Sequence, residues 1–453
     1  MSLYRLLQNR VAEGRPVTVG LIGSGKFGSM FLAQARTTPG LHLLAIADLD
    51  PERARTAMAT TGWPDGSGAA RSFADALEHG TTYLTDDAFA LIAADGLEVV
   101  IDATGNPPAG LAHARAAIDH GRHIVMVNVE ADVLAGPLLA EEARRAGLVY
   151  SMAYGDQPSL ICEMVDWARA AGLPVIAAGK GTKYLPIFHN STPDEVWDHY
   201  GIPPERAREG GMNPQMFNSF LDGTKSAIEM AAVANGTGLT PAPDGLAFPP
   251  AGVDELAQKL RPRDEGGELH HKGQVEVVSS LRRDGGAVER DLRWGVYVVF
   301  EAPSDYTARC FAEYGLVTDQ SGRYSATYKP YHLIGLELGV SVLSAALRGE
   351  PTGTPDAFRG DAVAVAKRDL KSDESLDGEG GYTVWGRLMP AADSLAQGAL
   401  PIGLAHKVPL LRDVAKGQVV TWADVKVDED NDAVKIRRQM ERRFAPETPT
   451  ARV

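Results

Sequence analysis

The sequence is poor in three features that would define other classes of protein. Only two of its 453 residues are cysteine, Cys162 and Cys310, and they lack the spacing of a zinc site. So few thiols exclude a disulfide scaffold and favour a reducing compartment, so we expect a cytoplasmic protein. No apolar run is long enough to cross a membrane. Positive charge is in deficit, since 45 Lys and Arg stand against 59 Asp and Glu and the net charge is −14, and this argues against a nucleic-acid partner.

The most informative segment is residues 17–28, VTVGLIGSGKFG, in which a buried strand leads into a Gly-x-Gly-x-x-Gly turn and then a helix. Gly23 permits the tight turn, Gly25 leaves room for a pyrophosphate, and Gly28 lets the helix pack on the strand. The N–H groups at the start of that helix face the phosphates. The residues expected at the dinucleotide are Gly23, Ser24, Gly25, Lys26, Phe27 and Gly28.

A second apolar strand, Leu41 to Ala47, ends in Asp48, about 20 residues after the last glycine of the turn. An acid at this position binds the ribose hydroxyls of NAD. Arg53 and Arg55 follow within a few residues and could hold the 2′-phosphate of NADP instead. The sequence therefore predicts a nicotinamide dinucleotide and leaves the choice between NAD and NADP open.

Strand and helix patterns alternate from residue 17 to about 150, which predicts a doubly wound parallel sheet of the Rossmann type. Ligands of such sheets bind beyond the carboxyl ends of the strands. Two loops fall at that edge, and they contribute the further cofactor candidates Thr104, Gly105, Asn128 and Glu130.

The rest of the chain predicts further domains. The composition of residues 156–354 predicts an inserted mixed α/β catalytic domain. Its last helix, Leu333 to Leu347, is apolar and should return to the first domain. A Gly- and Pro-rich linker over residues 349–355 precedes short strands. The expected division is 1–155 for the dinucleotide domain, 156–354 for the catalytic domain, 355–430 for a small β-rich domain and 431–453 for a frayed tail.

These segments together carry a resemblance. Residues 17 to about 155 resemble the N-terminal half of homoserine dehydrogenase, and residues 361–428 look like a SAF (β-clip) domain. The combination is similar to the bacterial reductoisomerase-like family that includes an alternative 1-deoxy-D-xylulose 5-phosphate reductoisomerase, of which the segment DGTKSAIEM at 222–230 is typical. The Asp-Val-x-Arg-Lys signature of homoserine dehydrogenase is missing, which disfavours homoserine as the substrate.

The resemblance implies an NAD(P)-dependent oxidoreductase acting on a small polar carbonyl or hydroxy compound, with phosphorylated compounds among the candidates. Family chemistry also implies Mg²⁺ or Mn²⁺, for which Asp222 and Glu229 are the possible ligands. A homo-oligomer, most simply a dimer, is expected. Two alternatives stay open: a dehydrogenase of sugar-acid or polyol catabolism, and a non-enzymatic protein that senses the dinucleotide.

Asp222, Lys225 and Glu229 are the foremost catalytic candidates. Their spacings of three and four place them on one face if they share a helix. A ladder of surface ion pairs would show the same spacing. However, the segment around them is apolar on most sides, which predicts burial and pKa values shifted toward those useful in acid/base chemistry.

Three further residues are candidates for catalysis. Lys180 and Lys183 are expected in a loop after a strand over Val175 to Ala178, where a lysine could bind a phosphate or polarise a ketone. His332, at the entrance of the apolar helix, could donate a proton. A solvated loop and a structural histidine are the corresponding alternatives.

Overall fold

The structure is a computed structural model, and it describes residues 2–209 and 211–445. Its strands are β1 (Val17–Ile22), β2 (Leu41–Ala47), β3 (Tyr83–Thr85), β4 (Val99–Asp102), β5 (His123–Met126), β6 (Tyr150–Met152), β7 (Val175–Thr182), β8 (Gln274–Ser279), β9 (Val296–Glu301), β10 (Tyr324–Lys329), β11 (Gly360–Ala366), β12 (Ser375–Asp377), β13 (Val384–Pro390) and β14 (His406–Pro409).

Its helices are α1 (Leu3–Ala12), α2 (Lys26–Ala35), α3 (Pro51–Thr60), α4 (Phe73–His79), α5 (Ala88–Ala93), α6 (Pro107–Asp119), α7 (Val129–Arg145), α8 (Gln157–Ala170), α9 (Val196–Tyr200), α10 (Pro204–Glu209), α11 (Pro214–Leu221), α12 (Thr224–Thr237), α13 (Leu256–Lys259), α14 (Asp305–Glu313), α15 (Gly339–Arg348), α16 (Ala391–Gln397) and α17 (Asp432–Phe444). None of the helices in the described ranges combines the length and apolar character that a membrane crossing requires.

The chain divides into two compact units. The first contains the described residues up to 163 together with 332–356, and the second contains 164–331 together with 357–445. Residues 332–356 belong to the first unit, as expected for the helix predicted over Leu333 to Leu347. The C-terminal strands, which were expected to form a domain of their own, group with the middle of the chain.

The first unit is a six-stranded parallel sheet in the order β3-β2-β1-β4-β5-β6. All six residues of β1 are buried, as expected for a central strand covered on both faces. Leu338 and Val342, at the start of α15, pack into the same core as β1, α2 and β2. The predicted Rossmann-type fold is confirmed. Its strand order reverses between β1 and β4, so the ligand-binding crevice falls at the glycine turn.

The second unit contains a mixed sheet in the order β10-β9-β7-β8, in which β8 runs parallel to β7 and β9 runs antiparallel to it. Helix α12 contacts β7 and β8 on one side and β11 and β13 on another. Being enclosed by both sheets, it buries nearly all of its side chains. This double burial explains why its sequence is apolar on most sides.

The C-terminal segment is more closely integrated than the sequence suggests. Strands β11 and β13 pair antiparallel, and the Asn235 side-chain oxygen of α12 accepts hydrogen bonds from the backbone N–H groups of Arg359 and Gly360, at 2.7 and 2.9 Å. An added Cβ at Gly360 would lie 3.1 Å from the Cβ of Ala234 in α12. The short strands were expected to form a separate domain, but they pack directly on the helix that carries Glu229.

The predicted frayed tail is wrong for the residues that the structure describes. Residues 432–444 form α17, and Arg437 of this helix is fully buried. Its guanidinium donates to both carboxylate oxygens of Asp361, at 3.1 and 2.5 Å. The many charged residues of this segment suggested that it is solvated, but Arg437 forms a buried ion pair with Asp361. Residues 446–453 of the expected tail lie outside the described residues.

Candidate active site

The glycine turn has the close contacts that its motif predicts. Gly23 adopts a φ of +94°, and a Cβ added there would lie 2.8 Å from the carbonyl oxygen of Ala103. A Cβ at Gly28 would lie 2.2 Å from the carbonyl oxygen of Gly23. A side chain at Gly28 would push α2 away from the turn, and one at Gly23 would collide with the backbone that follows β4, so both glycines are needed for the turn itself.

Gly25 plays a different role, because an added Cβ there would approach the end of a flexible side chain and not the backbone of another segment. It is the N-cap of α2, makes no side-chain capping bond, and is followed by Lys26 and Phe27. The only atom close to an added Cβ is Nη2 of Arg53, at 3.3 Å. The start of α2 thus presents backbone N–H groups beside a guanidinium, which is a suitable environment for the pyrophosphate or ribose phosphate of a dinucleotide.

Asp48 is tied to the same turn. Its Oδ2 accepts hydrogen bonds from the backbone N–H and the hydroxyl of Ser24, at 2.8 and 2.6 Å. Burial raises the pKa of Asp48, but these bonds and the nearby charge of Arg53 outweigh it, so the net pKa is lowered and the side chain is a carboxylate. Arg55 pairs with Glu52 at 3.3 Å, which leaves Arg53 as the arginine beside the turn.

The two predicted loops meet in a hydrogen-bonded network at the carboxyl edge of the sheet. Asp102, the buried last residue of β4, accepts bonds from the hydroxyl of Thr104 at 2.8 Å and the amide of Asn128 at 3.3 Å. His113 Nδ1 lies 2.6 Å from its other oxygen. Gly105 follows with a φ of +64°. The sequence reasoning placed Asp102 at the start of one of these loops without assigning it a role, and it missed His113.

Asn128 also donates to the carbonyl oxygen of Asn106 at 2.8 Å, and it caps α7 by accepting the N–H of Ala131. Glu130 lies in the first turn of that helix. The network therefore fixes the shape of both loops and leaves their backbone at the crevice. The assignment of these residues to cofactor binding stays a prediction.

The second unit contains two buried ion pairs. The Lys180 ammonium contacts the Glu229 carboxylate, and Lys180 and Glu229 are only 5 and 3% exposed. The Lys367 ammonium lies 2.8 Å from Oδ2 of Asp222, and both side chains are likewise buried. Buried charges are costly unless they are paired. These two ion pairs, Lys180 with Glu229 and Lys367 with Asp222, are the polar centre of the second unit.

The predicted trio of Asp222, Lys225 and Glu229 is not one unit. Gly223, with a φ of +93°, separates α11 from α12, so Asp222 lies outside the helix that carries the other two. Asp222 pairs with Lys367 and Glu229 pairs with Lys180. Lys225 is half-buried in the first turn of α12. The expected burial is correct for both acids, but the spacing rule failed because it assumes one uninterrupted helix.

The expectation for Lys180 also needs correction. Strand β7 continues to Thr182, so Lys180 lies within the strand and not in a loop after it. Lys367 was missed altogether. Lys367 directly follows β11, whose residues are all buried, and it is buried itself. A lysine at the end of such an apolar run was the sequence signal that could have identified it.

A metal held by Asp222 and Glu229 does not fit the arrangement. Each carboxylate is neutralised by its own lysine, and a cation between them would have to displace those partners. Within the described parts of the chain, no group of three or more His, Cys, Asp or Glu side chains could hold a metal ion. The chemistry proposed below therefore uses no metal.

Aromatic side chains and His189 surround the Asp222 end of this centre. His189 Nδ1 lies 2.7 Å from the carbonyl oxygen of Asp222, and its Nε2 lies 2.9 Å from the hydroxyl of Tyr184. The ring stacks on Trp385 at 3.9 Å. Burial is the main reason why the pKa of His189 is lowered, so the imidazole is neutral near pH 7.

Lys183 lies in the second unit and His332 in the first. Lys183 follows β7 and donates to the carbonyl oxygen of His199 at the end of α9. Burial, and then the charge of Arg293, lowers its pKa. His332 begins the second segment of the first unit and is half-buried. A catalytic role for either residue stays a prediction.

Glu276 is a further buried acid, and no motif marked it. It lies on β8 and accepts backbone N–H bonds from Ala247 and Phe248, yet burial outweighs them and raises its pKa to about 7. An acid whose folded pKa exceeds its unfolded value holds its proton more tightly when folded. Its stabilising contribution is therefore full at low pH and is lost as pH rises from about 4.5 to about 7.

We expect Glu276→Gln to reduce this loss of stability. Near pH 6 the free energy of unfolding of the wild type should fall by up to about 1.4 kcal/mol per pH unit more steeply than that of the variant. Urea titrations between pH 5 and 8 measure it. Asp132, a buried acid of the first unit whose pKa burial also raises to about 7, should leave a residual slope in both proteins. Identical slopes in the two proteins would contradict the assignment to Glu276.

Comparison with known proteins supports the enzyme class. Residues 155–338 match the family model of the catalytic domain of oxidoreductase DRL. The match covers fewer than half of the 453 residues and includes Lys180, Asp222 and Glu229. No curated protein is significantly similar to the chain. This segment is similar to an oxidoreductase catalytic domain, in line with the predicted oxidoreductase class, whereas the NAD(P) dependence of the whole chain and the homoserine dehydrogenase and SAF resemblances stay predictions.

Several solved structures are similar to part of the chain. Biliverdin reductase from Synechocystis sp. PCC 6803 is 18% identical over 38% of this chain and 48% of its own, with a TM-score of 0.26. An NAD binding oxidoreductase from Klebsiella pneumoniae is 22% identical over 39 and 45%, with a TM-score of 0.28. Myo-inositol dehydrogenase from Lactobacillus casei is 17% identical over 40 and 50%, with a TM-score of 0.27. The chain spans about half the length of each.

Proposed function

We propose that this chain is an NAD(P)H-dependent reductase of a small polar carbonyl compound, with Lys180 as the residue that acts on the substrate oxygen. The observation that carries the proposal is the buried Lys180–Glu229 pair, which lies within the residues that match an oxidoreductase catalytic domain. A protein that only sensed the dinucleotide would gain nothing from burying this pair, because apolar side chains of the same volume would be at least as stable.

The dinucleotide would bind at the glycine turn of the first unit. The N–H groups at the start of α2 and the guanidinium of Arg53 would hold its phosphates, with Gly25 leaving the space. The carboxylate of Asp48 would accept hydrogen bonds from ribose, and the loops of Thr104 and Asn128 would line the crevice. When bound, the nicotinamide supplies or accepts a hydride.

In the second unit, the Lys180 ammonium would stabilise the negative charge that develops on the substrate oxygen and donate a proton to it. The Glu229 carboxylate contacts that ammonium and would hold it in position against the substrate oxygen. Lys225, at the half-buried start of α12, is a second candidate for contact with the substrate. Asp222 would act as a positioning residue through Lys367.

The finer substrate assignment comes from the resemblance to the reductoisomerase-like family. The first assay is therefore 1-deoxy-D-xylulose 5-phosphate with NADPH, with and without Mg²⁺ or Mn²⁺, followed by erythrulose- and tetronate-like compounds. Since the acids of the centre are paired with lysines, we expect turnover without an added divalent ion. Assembly as a homodimer stays a prediction.

The test of this proposal replaces Lys180. Lys180→Met should lower turnover on the identified substrate by about 100-fold or more, because a preorganised charge at the reacting oxygen is lost. Dinucleotide affinity should hardly change. The variant also leaves Glu229 buried without its partner, which could unfold the unit, so the double variant Lys180→Met/Glu229→Leu is measured beside it.

The matched control is Lys272→Met, the same substitution at a more exposed lysine that pairs with Glu265 and Glu301. It should retain turnover. Lys225→Met is measured in the same assay, because a loss there together with wild-type activity in the folded double variant would move the catalytic lysine to α12. Wild-type turnover in the folded double variant would refute the role proposed for Lys180.

A further inference from the structure

Two adjacent histidines of the second unit face each other just before β8. Neighbouring residues of a strand point to opposite faces, but His270 and His271 lie in the turn that precedes this strand. Gly273, the last residue of the turn, has a φ of +81°. The turn brings Nδ1 of His270 to 3.1 Å from Nδ1 of His271, with the ring centres 5.4 Å apart. His270 is exposed and His271 is half-buried, so solvent reaches the pair.

Other residues hold both histidines in place. The side-chain oxygen of Gln274, which is buried, accepts the backbone N–H of His270 at 2.9 Å. The hydroxyl of Thr240 lies 2.6 Å from Nε2 of His271, the ring nitrogen that points away from His270. The backbone of Thr240 is held by β8, because its carbonyl oxygen accepts the N–H of Val275 at 3.1 Å. The approach of the two rings is therefore supported by their surroundings.

The positions of the protons decide what two facing imidazole nitrogens can do. In a hydrogen bond between the rings, one Nδ1 carries a proton and the other offers its lone pair. If His271 is the acceptor, its own proton is on Nε2 and is donated to the hydroxyl of Thr240. A hydrogen bond from the far nitrogen to an oxygen is the arrangement that orients metal-binding histidines. Only the proton of His270 then has to move, from Nδ1 to Nε2, to free both lone pairs.

The spacing of the two nitrogens suits one metal ion between them. Imidazole nitrogens bind zinc and similar metals at about 2.0–2.1 Å. Two such bonds that end 3.1 Å apart enclose an angle of about 95–102° at the metal. This angle lies between the roughly 90° of a square-planar site and the roughly 109° of a tetrahedral one, so either geometry can be reached with a small shift of the rings. The order of affinities for divalent metals then favours Cu²⁺ over Ni²⁺ and Zn²⁺.

We propose that His270 and His271 form a two-nitrogen site for a divalent transition metal ion, with Cu²⁺ bound more tightly than Ni²⁺ or Zn²⁺. Water completes the coordination, because no third His, Cys, Asp or Glu among the described residues joins the pair. Mg²⁺, which prefers oxygen ligands, should not bind. The site does not depend on the proposed reaction. The turn precedes β8, whereas Lys180 is paired with Val277 further along that strand.

Titration calorimetry with Cu²⁺ on the full chain tests the site. The background protein is Cys310→Ser, because a partly exposed thiol also binds copper. Thr240→Val should weaken Cu²⁺ binding by roughly 10- to 100-fold, the usual effect of losing the hydrogen bond behind a histidine ligand. His270→Ala and His271→Ala should each weaken it further. The electron paramagnetic resonance spectrum of the bound ion should show imidazole nitrogen couplings that are lost in the double variant His270→Ala/His271→Ala.

His406→Ala is the matched control, since His406 is an exposed histidine of the same unit whose Nδ1 lies 3.1 Å from the carbonyl oxygen of Asp377. It should bind Cu²⁺ as the background protein does. The double variant measures the weak binding that the other histidines contribute, and circular dichroism shows whether each variant is folded. Equal Cu²⁺ affinity in the background protein and in the folded double variant would overturn the site. Tighter binding of Zn²⁺ than of Cu²⁺ would overturn the proposed choice of metal.

Discussion

Lys367→Met should lower the free energy of unfolding by about 3–5 kcal/mol, the range expected when one member of a buried ion pair is removed. Lys367 pairs with Asp222 at 2.8 Å and donates to the carbonyl oxygens of Ser191 and Gly381, at 2.8 and 2.7 Å. Asp222 is fully buried and would be left without its cationic partner. Urea unfolding followed by circular dichroism measures the effect.

Two variants separate the lost ion pair from the lost side chain. Asp222→Leu/Lys367→Met removes both charges and should regain most of the stability. Lys371→Met, at an exposed lysine paired with Asp413 in the same segment, should hardly shift the urea midpoint. If the double variant were no more stable than Lys367→Met alone, the carbonyl contacts of Lys367, and not its pairing with Asp222, would account for the loss.

Gly25→Val should abolish dinucleotide binding while leaving the fold intact. An added Cβ meets only the Arg53 side chain at 3.3 Å, so the turn can accommodate it, but the new side chain fills the space beside the N–H groups of α2. Fluorescence titrations with NADH and NADPH measure the loss. The same titrations of the wild type show whether Asp48 or Arg53 dominates, through preference for NADH or for NADPH.

Gly339→Ala is the control for Gly25→Val, because Gly339 lies in the same unit, has an ordinary φ, and its added Cβ would contact nothing within 4 Å. It should bind the dinucleotide as the wild type does. Wild-type affinity in Gly25→Val would mean that the pyrophosphate does not lie at this turn, and the proposed cofactor site would be wrong.

The C-terminal strands were expected to act as an independent module, and their packing gives them another role. Lys367 follows β11 and reaches Asp222, while Asn235 of α12 holds the backbone of Gly360. Removal of the chain from Gly353 onward would therefore expose α12 and leave Asp222 without its partner. We infer that the C-terminal segment is a structural part of the unit that carries the proposed catalytic pair.

The sequence by itself determined the first unit closely. An apolar strand, three glycines at fixed spacing and an acid after the next strand are local features, and each imposes its geometry within a few residues. Gly23 and Gly28 make the close backbone contacts that the motif predicts, and Asp48 lies at the turn as expected. Local stereochemistry is sufficient there, because the contacts join residues that are near in sequence or in adjacent strands.

Only the tertiary structure decided the centre of the second unit. Spacing placed Asp222, Lys225 and Glu229 together, but Gly223 interrupts the helix and the two acids take partners far away in sequence, Lys367 and Lys180. A buried carboxylate must find a cation, yet its own neighbourhood in the sequence does not say which one. The choice depends on which strands pack around α12, and that packing is a property of the whole unit.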